Sequence, residues 1–419
     1  MVTTHTHWRR RLGIAVVSIG FAAVTTTARA DEVTTEEPHE PPAEAAAAPP
    51  ALGPVFPYLD ILDQQANTLK DFGARYGLTL GMGFSASYQY GFTRPASSKL
   101  SLRLLDKDHD KFSVDLYQLT VAKQTPNPGD WGFMFQGITG RFSRRYKSDW
   151  NGSGVFNDTQ WERKELELQQ GYLAYNVPVG NGVQLKLGKF NTLVGSEVNE
   201  PWLNPNFSKQ NIYALLQPAT HTGGLASYAF NDKVSLTVGG INGWDVVEDN
   251  NGLPSFIGQL ALTPVAPETL LLGIIYGPEQ PGNHHNMRTL YDVVNILKPI
   301  DGLLIQTNFD YLHDEGADIH VPGTAADAWG ISNTIAYDIH PRLNAAFRAE
   351  WIDDEDGART GIDQGIWELT LDLKWRLTDY LYMRGEYRHD ESNRKPFIHE
   401  VAGTVAGQDS LAWEIGYNF

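Results

Sequence analysis

The chain has 419 residues, 42% hydrophobic and 20% charged, with 40 Gly, 18 Tyr, 18 Phe, 11 Trp, no Cys and a formal net charge of −17. The missing cysteines exclude a disulfide scaffold, thiolate catalysis and cysteine-ligated zinc, and the acidic balance argues against nucleic acid, which needs a basic surface. Beyond residue 30 no apolar run reaches the ~18 residues of a membrane-crossing helix, and 11% aromatic residues are too many for a disordered chain.

At the N-terminus a basic stretch from His7 to Arg11 precedes an apolar one from Ile14 to Val24, and Ala28-Arg29-Ala30 offers a small-residue cleavage site. This predicts a signal peptide over residues 1–30 and general export of the unfolded chain. Its removal takes away four arginines and no acid, leaving 29 basic against 50 acidic residues, a balance of −21. Residues 31–57 are rich in Pro, Ala and Glu and read as a solvated linker on the periplasmic side. Within 58–76, Leu59, Leu62, Ala66, Leu69 and Phe72 recur at spacings of three and four, predicting a short amphipathic helix. It is expected to pack at the lower rim of the following domain, with a plug in its interior as the other reading.

From Gly77 the period changes to two. Trp367, Leu369, Leu371, Leu373, Trp375 and Leu377 alternate with Glu368, Thr370, Asp372, Lys374 and Arg376, so one face suits lipid and the other water. Sixteen such segments are expected, near 78–91, 112–124, 130–143, 164–177, 183–190, 219–230, 233–243, 253–263, 268–277, 288–298, 302–312, 327–339, 343–353, 366–377, 380–389 and 409–419. Short turns alternate with long polar connections, as in an outer-membrane barrel with periplasmic turns and extracellular loops. A soluble stack of sheets has the same period, but two features favour lipid. Trp367 and Trp375 lie eight residues apart on one face, roughly 20 Å along the membrane normal at ~3.3 Å per residue and ~40° tilt, as two aromatic girdles require. Leu411, Trp413, Ile415, Tyr417 and Phe419 alternate out to the terminal residue, which resembles the signal for assembly of outer-membrane barrels.

In hydrocarbon every backbone N–H and C=O needs an internal partner, so such a sheet must close. The fold expected over 77–419 is therefore all-β, a transmembrane antiparallel β-barrel of about 16 strands with a short N-terminal helix. Sixteen strands leave an aqueous channel where eight fill with their own side chains.

Two blocks are more specific than the pattern: GKFNTLVGSEVNEPWLNPNFSKQNIYALLQPATHTG at 188–223 and INGWDVVEDNN at 241–251. With the GKF opening, Glu197, the QP-x-THTG return and the NGWD turn, they resemble the OmpL-like β-barrel porins of the porin-2 family. The resemblance covers roughly residues 75–419 and implies a diffusion pore in the outer membrane of a Gram-negative bacterium. It names no solute.

The connection 191–217 is expected either to fold into the lumen as a constriction, with Glu197, Glu200 and Lys209 setting size and charge, or to pack at the extracellular mouth. By alternation Glu165, Glu167, Arg348, Glu350, Glu368, Asp372, Lys374, Arg384 and Arg388 point inward. If the turn after Leu377 is centred on Thr378, Asp372 faces Arg384, Glu368 faces Arg388, and Lys374 faces Tyr382, leaving its ammonium freer for permeating anions. The pairs read either as a ladder stiffening the wall or as a solute site. Acids cluster in three long connections (Asp245, Glu248, Asp249; Asp314, Glu315, Asp318; Asp353 to Asp356) and read as a solvated rim, with Ca²⁺ or Mg²⁺ held by carboxylates as the other option. That rim predicts a weak cation preference. His284 with His285, and His313 with His320, do not reproduce zinc spacing.

No G-x-S-x-G, P-loop or H-E-x-x-H motif is present, so no enzyme, cofactor or metal site is expected. The function expected is passive diffusion of small hydrophilic solutes and ions. A surface adhesin or non-conducting anchor, suggested by the linker, and a membrane-embedded lipase are the alternatives. Outer-membrane lipids, the barrel-assembly machinery and the solutes themselves are the expected partners, and a homotrimer is an assembly open to sixteen strands.

Overall fold

A computed structural model describes residues 59–146, 166–265 and 267–419. The expected signal peptide, the linker and Glu165 lie outside the described residues. The N-terminal helix α1 runs over Asp60–Arg75. Sixteen strands then follow the period-two pattern: β1 Thr79–Gly91, β2 Lys111–Lys123, β3 Trp131–Thr139, β4 Glu167–Val177, β5 Val183–Asn191, β6 Thr220–Ala229, β7 Val234–Ile241, β8 Ser255–Leu262, β9 Glu268–Gln280, β10 Asn283–Leu297, β11 Leu303–Asp314, β12 Ala326–His340, β13 Leu343–Asp354, β14 Gln364–Arg376, β15 Leu381–Ser392 and, at the end, β18 Gly407–Asn418. Between β15 and β18 a small hairpin, β16 Phe397–His399 and β17 Gly403–Val405, stands apart from the barrel.

Each strand pairs antiparallel with its neighbours, and β1 pairs with β18 from Gly83↔Asn418 to Gly91↔Ser410, so the sheet closes. Phe419 completes the seam, donating its N–H to Met82 O at 3.0 Å. Closure removes the edges that a strand protein cannot leave unpaired in lipid. No helix of the described residues is long and apolar enough to cross a membrane.

Side chains sort by alternation. On β14, Leu369, Leu371, Leu373 and Trp375 are exposed on the outside, while Glu368, Thr370 and Asp372 between them are buried inside. Trp413 and Ile415 on β18 are likewise exposed, with Glu414 buried between them.

Two expectations are corrected. The long connection expected between 277 and 288 is mostly strand: β9 and β10 extend to a hairpin whose turn is Pro281-Gly282, and Gly282 takes φ 70°, a conformation open to glycine. The register of β14 on β15 differs by two residues from the expected one: Asp372 faces Glu386, Lys374 faces Arg384 and Glu368 faces Asp390. The cause lies in the turn, where Thr378 Oγ1 accepts N–H bonds from Tyr380 and Leu381 and Leu377 N donates to Leu381 O, moving its centre to Asp379.

Candidate functional site: a loop across the lumen

The chain between β5 and β6, residues 192–219, turns into the barrel and meets inward-pointing side chains around most of the wall. Its polar groups are taken up one by one. Gly195 N donates to Asp292 Oδ1 at 3.1 Å and Ser196 N to Asn308 Oδ1 at 3.1 Å. Gln217 Nε2 reaches Asn308 and Asp310. Phe207 N and Ser208 N donate to Glu386, and Asn211 N and Ile212 N donate to the two oxygens of Glu350, each at 2.7 Å. Those last two donors open helix α2, Asn211–Leu215, whose first N–H groups have no partner within the helix. On the far side Glu200 accepts from Gln118 Nε2 at 2.7 Å, Gln169 Nε2 at 2.9 Å and Gln136 Nε2 at 3.4 Å, tying the loop to β2, β3 and β4. Trp202 lies against Gly83 of β1, where an added Cβ would fall 2.1 Å from the indole.

Beneath these bonds is an apolar seat. Ile257, Ile275, Leu290 and Leu312 face one another in direct register on β8 to β11, all pointing inward and buried. Ile212, Leu215 and Leu216 of the loop are buried in the same cluster, as is Ile352 of β13. The interior is thus part core, in contrast to the polar lumen that alternation predicts.

Five arginines hold the other half. Arg348, wholly buried, bonds Glu197 Oε1 at 2.8 Å, Glu368 Oε1 at 2.6 Å and the carbonyl of Ser208 at 2.8 Å. Arg388 pairs with Glu368 at 3.1 Å and Asp390 at 2.7 Å and donates to Lys209 O. Arg384 pairs with Glu414 at 2.6 Å and Asp372 at 3.8 Å and donates to Pro201 O at 2.7 Å. So the pairs Asp372 with Arg384 and Glu368 with Arg388 form, but diagonally across the strands. Arg103, in the connection before β2, bonds Asp106 and Asp390, and Arg141, in a short 3-10 helix after β3, bonds Asp115 at 2.6 Å. At Asp106 burial alone would raise the carboxyl pKa, but the guanidinium groups of Arg103, Arg388 and Arg141 outweigh it and hold it below the usual value.

Glu197 accepts Gln210 N at 2.9 Å in addition to its Arg348 bond. Lys209 is buried, donates to Val198 O at 2.5 Å and lies over the Tyr213 ring. Burial brings its amine down to about 8, with Glu197 and Glu200 acting in the opposite sense. Lys374 is less free than expected, because its Nζ donates to Asn204 O at 3.2 Å and sits over Tyr382. Glu167 lies on β4, partly exposed.

The acid-rich connections also depart from a purely solvated rim. Asp245 accepts N–H bonds from Ala219 and Thr220 at 2.8 Å, Asp314 bonds Arg288 at 2.5 Å, and Asp354 accepts from Arg359 and Thr360. Glu248, Asp249, Glu315 and Glu355 remain exposed. Among the described residues no group of three or more His, Asp or Glu could hold a metal.

Toward the short-turn ends of β2 to β6 the inner wall is less covered, and Gln184, Lys186 and Ser227 are only partly buried. A cavity of about 410 Å³ is lined by Lys123, Tyr172, Gln184, Lys186 and Ser227. Another, of about 460 Å³, lies under the loop between Trp202, Asn204, Lys298, Asp338, Lys374 and Arg376. Arg103, Arg141, Glu386, Asp390 and Glu414 escaped the sequence reading. For the last three the signal was present, since each falls on the inward face of its strand.

A closed sixteen-stranded barrel, apolar outside and crossed inside by an infolded loop, defines a channel of the outer-membrane porin class. The chain belongs to the family "Putative beta-barrel porin-2, OmpL-like", whose model matches residues 77–419. Similar solved structures include Pseudomonas putida OprB, 13% identical over 85% of this chain and 97% of that one with a TM-score of 0.55. An anion-selective porin from Comamonas acidovorans is 11% identical over 82% and 99% with a TM-score of 0.54, and the outer membrane channel DcaP of Acinetobacter baumannii is 11% identical over 82% and 97% with a TM-score of 0.53. At such identities the likeness is one of fold alone. No curated protein sequence matches the chain.

Proposed function

We propose that the protein is a passive diffusion channel for small hydrophilic solutes and ions, narrowest where residues 192–219 cross the lumen. The observation that carries this reading is the seating of that loop on polar side chains from β2 to β4 and from β10 to β15 and on the apolar seat of β8 to β11. It leaves the less covered inner wall toward the short-turn ends of β2 to β6 as the route for solute. Glu197, Glu200 and Lys209 act by holding the loop in place, and Glu350, Glu368, Arg348, Arg384 and Arg388 fix its distance from the wall. Exposed acids at the long-loop mouth, with a balance of −21 after loss of residues 1–30, support a weak cation preference.

Planar-bilayer recording tests the proposal. Deletion of residues 196–209 is expected to raise single-channel conductance, and an unchanged value would rule the loop out as the narrowest point. Stable insertion without conductance would favour a surface anchor, and ester hydrolysis by the purified protein would favour a lipase. A reversal potential indicating anion preference would reverse the selectivity assignment. For assembly, the Vibrio cholerae outer membrane protein OmpT, 12% identical with a TM-score of 0.53, has been solved in a trimer form. A homotrimer is the arrangement proposed here, to be checked by the mass of the detergent-solubilised protein. Export by residues 1–30, a tether over 31–57, aromatic girdles through Trp367 and Trp375, and assembly through the strand from Leu411 to Phe419 complete the proposal.

A further inference from the structure

Helix α1 presents three different faces. The first, formed by Leu62, Asp63, Ala66 and Gly73, is turned to the barrel. Asp63 accepts from Thr378 Oγ1 at 2.6 Å and from Asp379 N at 3.2 Å in the β14–β15 turn, and Ala66 is buried. Leu62 O accepts from Tyr417 Oη at 3.0 Å, and a Cβ on Gly73 would lie 2.9 Å from Leu80 Cγ. Tyr417 and Leu80 fall on the outward sides of β18 and β1, the sides opposite buried Glu414 and Gly83. The helix therefore lies against the outer wall of the barrel at its short-turn end, outside the lumen.

At 100° per residue, Ile61, Leu69, Phe72 and Tyr76 form a second face about a quarter-turn from the first. All four are exposed, Phe72 by 53% and Tyr76 by 67%. A third face, a further quarter-turn round and turned away from the barrel, carries Gln64, Asp71 and Arg75. Water leaves an exposed row of Ile, Leu, Phe and Tyr without compensation, at a cost proportional to its area. The outward side chains Met383, Trp413 and Ile415 of β15 and β18 are exposed on the same outer wall as Tyr417 and Leu80, against which the helix lies.

We infer that α1 is an interfacial helix: Ile61, Leu69, Phe72 and Tyr76 enter the inner leaflet of the outer membrane beside the β1–β18 seam, and Asp71 and Arg75 stay in water. The helix then acts as a lipid-seated collar on the barrel's base. This rests on residence of the barrel in a membrane and is independent of whether it conducts.

The chain has no cysteine, so a single introduced thiol is unique. Full-length Phe72→Cys and Asp71→Cys variants, with Leu69→Cys as a second probe of the apolar row, would be labelled with an environment-sensitive fluorophore. They would be reconstituted in phosphatidylethanolamine–phosphatidylglycerol vesicles, with folding checked by heat-modifiable gel mobility. Label at positions 72 and 69 is expected to be blue-shifted and quenched several-fold more by lipids carrying a nitroxide near the headgroup than label at position 71, with iodide showing the opposite order. Equal iodide quenching at all three positions, without quenching by nitroxide lipid, would overturn the inference. So would fluorescence that follows the protein-to-lipid ratio together with cross-linking between Phe72→Cys chains, which would make a second copy the occupant.

Discussion

Arg348 sits where the loop meets β13 and β14, its guanidinium shared among Glu197, Glu368 and the Ser208 carbonyl. Replacing it by Met leaves two carboxylates in a site closed to water, and breaking a buried pair in this way costs about 3–5 kcal/mol. Arg348→Met is expected to lower the thermal unfolding midpoint in detergent and to give larger, noisier single-channel currents. Lys209 offers a test by pH. Its amine in the folded chain titrates at about 8, whereas an unfolded lysine holds its proton to about 10.4. Between those values the unfolded chain binds more protons, so stability rises with pH. The gain is fully present above the upper value and is lost as pH falls through the lower one. Melting from pH 8 to 10 should therefore rise in the parent relative to Lys209→Met, and parallel curves would refute the assignment. On the less covered wall, Lys186→Glu should shift the reversal potential in a KCl gradient toward cations.

The elements differ in how legible they were in the sequence. Outside the β9–β10 hairpin, strand bounds were readable to within a few residues because apolar groups on one side and polar groups on the other impose alternation directly. Register was less so: one threonine hydroxyl in the Leu377–Leu381 turn displaced β15 by two residues, and no count of alternating residues records that. The apolar seat was hidden for a different reason. A run such as LLLGIIY at 270–276 satisfies the outward face whether the inward face meets water or a loop. Alternation states which residues share a face and says nothing of what covers it. The loop itself stood out as a long connection containing both Ile212 and Glu197, yet its partners on β10 to β15 come from distant sequence. Helix α2 should act as its anchor. Ile212→Glu would place a charge in the cluster with Ile352, releasing the loop while the barrel keeps its heat-modifiable mobility, and the expected reading is increased conductance with frequent transitions.

At the scale of the whole molecule, a mean hydropathy of −0.33 and a continuous lipid-facing surface are compatible because each strand divides its residues between two surroundings. Outward Leu369, Leu371 and Leu373 are balanced by inward Glu368, Thr370 and Asp372. The seam between β1 and β18 carries a further consequence, one of timing. Every other barrel pair joins strands close in sequence, but this one joins β1 to β18, distant in sequence, and Phe419 beyond β18 is itself bonded to Met82. Pairing of such distant segments is slow because the intervening loop must first be closed. Until then β1 and β15 or β18 are raw edges, open to pairing with any neighbouring chain. The cylinder is consequently all-or-none: removal of residues 407–419 should give aggregate in place of a fifteen-stranded pore, and the nascent protein has no safe partly closed form in which to linger.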